Sequence, residues 1–486
     1  MVARLFPWLL PLVGAWILFC TLQAAAVERI LSLNVVESYG FAAYEQVIRN
    51  QALHGDWGQT IHRGYIPHWM WSGHRSLWLL VAVELYRWAP GPQTLVALQT
   101  GIVALGCIPA WGLGQRTVGS IAGGVAGLAI YAFFGPLWAL ALQDYQDLVL
   151  GIPFALAAVW ALRERSLLGF AIAGVLCGAA REEWVVTLPV IALAAGGGWR
   201  HRLNAMGTAL ATSGALALVL WWLGRDAVGY ETPMQTHAGG MGMGLPPIQR
   251  NWTDYQRFYS HFLFPLNFGA LLSPLVLAPG AGALLLHLTT PEGSGIDTQW
   301  RGHIHHMAPI AAFLLAAAID GLGVLSSFVF PAPGRPRWKA FLGFRSPPPT
   351  TVRRVAAVLI VLACGWYARP WATPLRLELR AWPSTGESEA RPEWALLGTV
   401  PDDARIATDP RGALLLVRFR SSWTYGESLD EKTRTGLGVL DYVLVRRSDS
   451  KVMAEVTGFG GTAAGETPEY VLMKLPNASR LKAPAP

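Results

Sequence analysis

The chain has 486 residues, 52% of them hydrophobic and only 14% charged, the balance of an integral membrane protein rather than a soluble domain. A net charge of +7 could serve nucleic acid, but the basic residues are spread along the chain instead of gathered into a patch, so no nucleic-acid partner is expected. They fall in short loops between apolar runs, RER at 163–165, WRHR at 199–202 and RPRWKAFLGFRSPPPTTVRR at 335–354, as cytoplasmic loops do.

Taking those loops as inside gives a path of about eleven spans. The first, LFPWLLPLVGAWILFCTLQAAAV at 5–27, reads as a retained helix, although its AAAV end leaves cleavage as a signal peptide open. An outer loop follows at 28–93 and contains the amphipathic stretch SLWLLVAVELYRWA. Spans are expected near 94–114, 118–138, 148–162, 167–180, 184–197 and 205–223, then a second outer loop at 225–259. Spans at 260–276 and 279–290 precede an outer segment ending in DTQWRGHIHH, and spans at 304–325 and 352–369 complete a membrane domain of residues 1–370. The N-terminus is then inside and the C-terminal tail outside the cell's inner, or cytoplasmic, membrane.

Composition changes beyond residue 370. Lysine, absent from 1–338, appears, and the runs ARIAT, DYVLVR and EYVLMKL alternate with helical stretches near 391–399 and 450–457. That alternation predicts a small α/β domain over 371–480, its three runs in one sheet, with LKAPAP at 481–486 as a disordered tail. Cys20, Cys107, Cys177 and Cys364 all sit inside apolar runs and imply neither a disulfide framework nor a thiolate metal site.

Four polar clusters interrupt this apolar chain on the side taken as outer. In VESYGFAAYEQVIRNQ, Glu37 and Glu45 are eight residues apart and could share a helix face, although a solvated loop helix would show the same pattern. In LQDYQDLVLGIP, Asp144 and Asp147 lie at a helix start, where capping accounts for one of them. In AAREEWVV, Arg181 is followed by Glu182 and Glu183; neighbours on a helix diverge by about 100°, so at most one glutamate can point where Arg181 points. In QWRGHIHHMAP, Arg301, His303, His305 and His306 lack a specific zinc spacing, and His74 in SGHRSLW adds a polar residue to the first loop.

The order of these motifs resembles the bacterial predicted membrane proteins of domain of unknown function 2079, which are similar to the GT-C class of polyprenyl-phosphate-dependent glycosyltransferases. The likeness runs over about residues 5–445, through SYGFAAYEQVIRNQALHG, SGHRSLWLL, LQDYQDLVLGIP, AAREEWVVTLP, HHMAPIAAFLLAAAIDGL, TVPDDARIAT and LDYVLV. Tyr39 is followed by Gly40 where that family has aspartate, and Gln146 stands for a usual histidine; Glu45 and Asp144 match acidic positions, and Arg181, Glu182 and Glu183 match a Lys-Glu-Asp pattern.

The resemblance implies a multi-pass GT-C-like helical fold and inverting transfer of a sugar from a polyprenyl-phosphate donor to an acceptor hydroxyl at the outer face. Glu37 or Glu45 would be the base and Asp144 its partner or a metal ligand. Arg181 or Arg301 would clamp the phosphate, with His74, Asp147, Glu182, Glu183, His305 and His306 around the substrate. No cofactor is required by the pattern, a divalent metal stays open, and the partners are the lipid-linked sugar and membrane lipid. Two other classes compete: a transporter, which would carry its charges near span centres rather than at span ends, and a non-catalytic scaffold presenting the C-terminal domain.

Overall fold

A computed structural model describes residues 2–31, 38–58, 75–119, 121–142, 145–195, 198–225, 266, 269–289, 307–329, 392–401, 403–409, 413–416, 419, 421–424 and 440–480. Glu37, His74, Asp144, Arg301, His303, His305 and His306, the loop expected at 225–259 apart from Arg225, the span expected at 352–369 and the tail at 481–486 lie outside them.

The membrane part begins with α1 (Val2–Leu31), α2 (Ser38–His54) and α3 (Trp78–Trp88). The stretch expected to be amphipathic is α3; it buries Leu79, Ala82, Val83 and Tyr86, a stripe at helical spacing. Next come α4 (Pro92–Leu105) and α5 (Cys107–Val118), which together make one apolar span, ended by Gly119 in the left-handed region at φ 72°. The run expected at 118–138 is instead broken into α6 (Ile121–Ala132) and α7 (Gly135–Leu142), inclined by 50° where Gly135 and Pro136 restart the helix. α5 and α6 approach to backbone contact: a Cβ on Gly114 would lie 2.2 Å from the Gly123 carbonyl oxygen, so only glycine permits this packing.

Then follow α8 (Gly151–Arg163), α9 (Leu167–Gly178), α10 (Glu182–Ala192) and the long α11 (Trp199–Gly224). Further on, α12 (Pro274–Thr289) runs through Pro279, so the break expected between 276 and 279 is absent. α13 (Ala308–Val329) is apolar but for Asp320 and the serines near its end, and it is central, 89% of its spanning stretch being buried, against 28% for α1 and 22% for α11 at the rim. Among the described residues four helices are long and apolar enough to cross a membrane, five if the bent pair α6–α7 counts as one. α8, α9 and α10 have only 13, 12 and 11 residues, short of the roughly 20 that a bilayer core requires.

The C-terminal part holds α14 (Pro392–Gly398), β1 (Arg405–Thr408), β2 (Ser421–Thr424), β3 (Tyr442–Arg446), α15 (Ser450–Gly458), β4 (Thr462–Glu466) and β5 (Tyr470–Lys474). The sheet order is β2-β1-β3-β5-β4, with β1 parallel to β2 and β3, and β5 antiparallel to β3 and β4. The three runs expected to pair are thus its adjacent strands β1, β3 and β5. Leu444, Tyr470 and Leu472 pack on one face with Leu397 of α14 and the turn Ala413–Leu416; Val443, Val445 and Val471 pack on the other with Val452 and Val456 of α15. Covering both faces is what turns these strands into nearly continuous apolar runs.

Candidate functional site

Where α9 gives way to α10, Arg181 takes an extended conformation and α10 starts immediately, with two acids in its first turn. A helix start favours carboxylates there. Trp184, one turn on, fixes the position of that start. Its Nε1–H donates to the Leu148 carbonyl at 2.9 Å, and its ring lies so close to Gly151 that a Cβ there would be 2.2 Å from Nε1. Leu148 belongs to the 3-10 turn Asp147–Leu150 that leads into α8. The tryptophan thereby brings Arg181 and Asp147 together across two helix starts.

Arg181 and Asp147 are both fully buried. Arg181 Nη1 lies 3.6 Å from Asp147 Oδ1 and Nε 3.1 Å from Glu183 Oε1, an ion pair with each acid. Neither contact has hydrogen-bond alignment, and Nη2 has no hydrogen-bond partner among the described residues. Tyr44 of α2 donates its hydroxyl to Asp147 Oδ1 at 3.4 Å and packs edge-on against Tyr145, whose buried hydroxyl likewise has no partner among the described residues. Burial pushes both tyrosine hydroxyls well above their ordinary pKa, with Asp147 adding to the effect. Burial alone would lower the Arg181 pKa, but Glu183 and Asp147 more than offset it, so the guanidinium stays charged.

The two glutamates part as adjacent helical residues must. Glu183 faces Arg181, while Glu182 Oε2 accepts from the Arg75 backbone N–H at 2.8 Å. Leu77 N–H and the Ser76 hydroxyl reach the Ala179 carbonyl at 2.8 and 3.3 Å, and Trp78 Nε1 reaches Leu176 O at 3.0 Å. Residues 75–78 are therefore anchored on the α9–α10 corner. Gln146, standing where the resemblance has histidine, is held by its backbone: its N–H donates to Gln99 Oε1 at 2.7 Å.

Helix α2 turns three consecutive side chains in three directions. Tyr44 enters the Arg181 cluster, Glu45 accepts from the Tyr86 hydroxyl of α3, and Gln46 Nε2 donates to Phe419 O of the C-terminal part at 3.5 Å. Glu45 is fully buried, and its Oε2 has no hydrogen-bond partner among the described residues. Burial raises its pKa to about 7 against smaller lowering effects from Tyr86 and Arg49. The structure thus joins Asp147, Arg181 and Glu183, places Glu182 beside them on another partner, and sets Glu45 on a neighbouring face of α2.

Tyr44 and Tyr145 carry no charge and were not singled out from sequence. Their signal is positional, Tyr44 preceding Glu45 and Tyr145 standing between two aspartates. No group of three or more His, Cys, Asp or Glu side chains converges among the described residues. Asp147 and Glu183 are both turned to a guanidinium, so this donor set does not form a metal site.

Residues 29–230 match the family described as predicted membrane protein (DUF2079), a stretch that includes every member of the Arg181 cluster. No curated protein matches the chain by sequence. In structure, ArnT from Cupriavidus metallidurans bound to undecaprenyl phosphate aligns with 95% of this chain and 98% of that one, with a TM-score of 0.51 and 12% identity. ArnT in the apo state aligns over 89% and 92%, at 0.50 and 14%. At such identity the likeness establishes the fold alone. The chain is a membrane protein with a GT-C-like helical architecture and a small sheet, and the family likeness read from its motifs is found over residues 29–230, the motifs HHMAPIAAFLLAAAIDGL, TVPDDARIAT and LDYVLV lying beyond the match.

Proposed function

We propose that the chain is a membrane glycosyltransferase that moves a sugar from a polyprenyl-phosphate donor to an acceptor hydroxyl with inversion. The observation that carries this reading is Arg181. It is a buried guanidinium gripped loosely by two acids, with donor capacity unspent, in a fold shared with a protein solved on undecaprenyl phosphate. A planar fork with spare N–H groups matches phosphate oxygens.

In the proposed step the acceptor oxygen attacks the anomeric carbon and the bond from that carbon to the phosphate oxygen breaks. The pair of electrons leaves with the polyprenyl phosphate, whose charge Arg181 stabilises, and the hydroxyl proton passes to a carboxylate. Glu45 is the described candidate for that base; Glu37 and Asp144 stay proposals from the motifs. Asp147 and Tyr44 hold the guanidinium, and Glu182 secures residues 75–78. His74, Arg301, His305 and His306 are proposed around the donor, and a divalent metal would need ligands beyond those assembled in the Arg181 cluster. The short basic loops support a cytoplasmic membrane with the N-terminus inside, about eleven spans, and the domain of 371–480 on the site's outer side.

The test pairs transfer from a polyprenyl-phosphate sugar with thermal stability in detergent for Arg181→Ala and Arg181→Lys. Loss of transfer in a folded Arg181→Lys protein supports a phosphate clamp. Undiminished transfer in that protein removes Arg181 from the mechanism, and unfolding of both variants makes the cluster a structural ion pair.

A further inference from the structure

The opposite end of the bundle carries a polar recess that the transfer reaction does not use. It has a volume of about 500 Å³ where α5 and α8 end and α1 begins, and is lined by Trp8, Gln115, Arg116, Gly119, Trp160 and Glu164. The two indoles lie 6.0 Å apart, centroid to centroid. Trp160 rests on the backbone of Gly112, where a Cβ would be 2.4 Å from the ring, so its place is set by the packing of α5 on α8.

The recess holds one charge of each sign. Arg116 Nε donates to Arg163 O at 3.3 Å and lies 3.6 Å from Glu164 Oε1, and both side chains are about half exposed. Exposed pairs at such a distance contribute little to stability, so this one is free to exchange partners.

Tryptophans at the ends of apolar helices sit at headgroup depth. A ligand there must satisfy a forked cation, a carboxylate and two π faces together. A phosphodiester suits the fork, and a primary ammonium suits both the carboxylate and the indole faces. A purely anionic headgroup would set its charge against Glu164, and a quaternary amine has no N–H to give that carboxylate.

We propose that this recess binds the phosphoethanolamine headgroup of a membrane lipid, Arg116 and Gln115 holding the phosphodiester, and Glu164 with Trp8 and Trp160 holding the ammonium. The site is independent of the transferase reading, since it lies at the other end of α8 and uses none of the Arg181 cluster.

The experiment exchanges the full chain into nanodiscs of equal phosphatidylethanolamine and phosphatidylglycerol content and weighs retained lipid by native mass spectrometry. The wild type should retain phosphatidylethanolamine about tenfold over phosphatidylglycerol, as for one charge-assisted contact of about 1.4 kcal/mol. Glu164→Gln should abolish the preference, and Arg116→Ala should weaken retention of both lipids. Phosphocholine lipid in place of phosphoethanolamine separates ammonium donation from cation–π attraction alone; equal retention overturns the role of Glu164. Equal retention of the first two lipids by the wild type overturns the proposal, as does a preference that survives Glu164→Gln.

Discussion

Arg163 closes α8, a helix of 13 residues and so about 20 Å long, and Arg181 meets Asp147 at the turn before its start, each arginine against a fully buried aspartate. Arg163 meets Asp320 of α13 in a fork, Nε to Oδ1 at 3.0 Å and Nη2 to Oδ2 at 2.8 Å, and Ser273 adds a hydroxyl to Oδ2 at 2.5 Å. Arg181 meets Asp147 at 3.6 Å and Glu183 at 3.1 Å, without alignment. The same residue types thus form a closed joint at one end and an open grip at the other. A closed fork satisfies both carboxylate oxygens and locks the guanidinium in place, whereas an open one leaves fully buried donors unbonded, which is costly unless something comes to use them.

The sharpest way to break this contrast is to remove each arginine. Arg163→Ala should cost about 3–5 kcal/mol of stability, since it strands Asp320 in the core, and transfer should fall only with the folded fraction. A double variant, Arg163→Met with Asp320→Leu, should recover most of the lost thermal stability in detergent; failure to recover would mean that the fork does more than join helices. Arg181→Lys keeps the charge but loses the fork. It should lower transfer by about 10²–10³-fold, the scale for one preorganised donor, with little change in melting.

Helix start, charge and aromatic content explain which of these features were legible. AAREEWVV declares itself because three charges interrupt two apolar runs, and its consequence, a helix starting at Glu182 with divergent glutamates, follows from helix geometry. The strand runs ARIAT, DYVLVR and EYVLMKL are equally plain, being β-branched and aromatic. Capping accounts for one of Asp144 and Asp147 without saying which, and the resemblance puts Asp147 near the substrate; its place as the buried partner of Arg181 depends on Trp184 docking on Gly151, a tertiary contact that leaves no local pattern. Tyr44 and Tyr145 were invisible for the same reason. Hydropathy located the membrane part but not its breaks, because windows of about 20 residues average over Gly135 and Pro136. The Arg163–Asp320 joint links residues 157 positions apart and had no signal beyond a lone acid in an apolar run.

The pH dependence separates the two ends further. Glu45, raised to about 7 from an ordinary value of 4.5, lies near the Arg181 end. As a base it works only when ionised, so transfer should rise about tenfold between pH 6 and pH 8 and then level off. Its folded pKa lies above its unfolded one, so its share of stability is present below pH 4.5 and is lost as pH rises through 7. Glu45→Gln should remove both trends, and a rate profile unchanged in that variant would assign the base elsewhere. The smallest effect should come from Tyr44→Phe. Losing one long hydrogen bond to Asp147 costs about 1 kcal/mol and should reduce transfer several-fold by loosening the grip on Arg181, with melting nearly unchanged.

The account rests on the claim that Arg181 is held loosely with buried donors unbonded while Arg163 is locked in an aligned fork, and binding tests it apart from any particular sugar. Thermal stabilisation by a polyprenyl phosphate should be measured in parallel for the wild type, Arg181→Lys and Arg163→Lys. The wild type and Arg163→Lys should both gain melting temperature as the lipid phosphate is added, Arg163→Lys from a lower start, while Arg181→Lys should gain little. Equal stabilisation of Arg181→Lys and the wild type would contradict it.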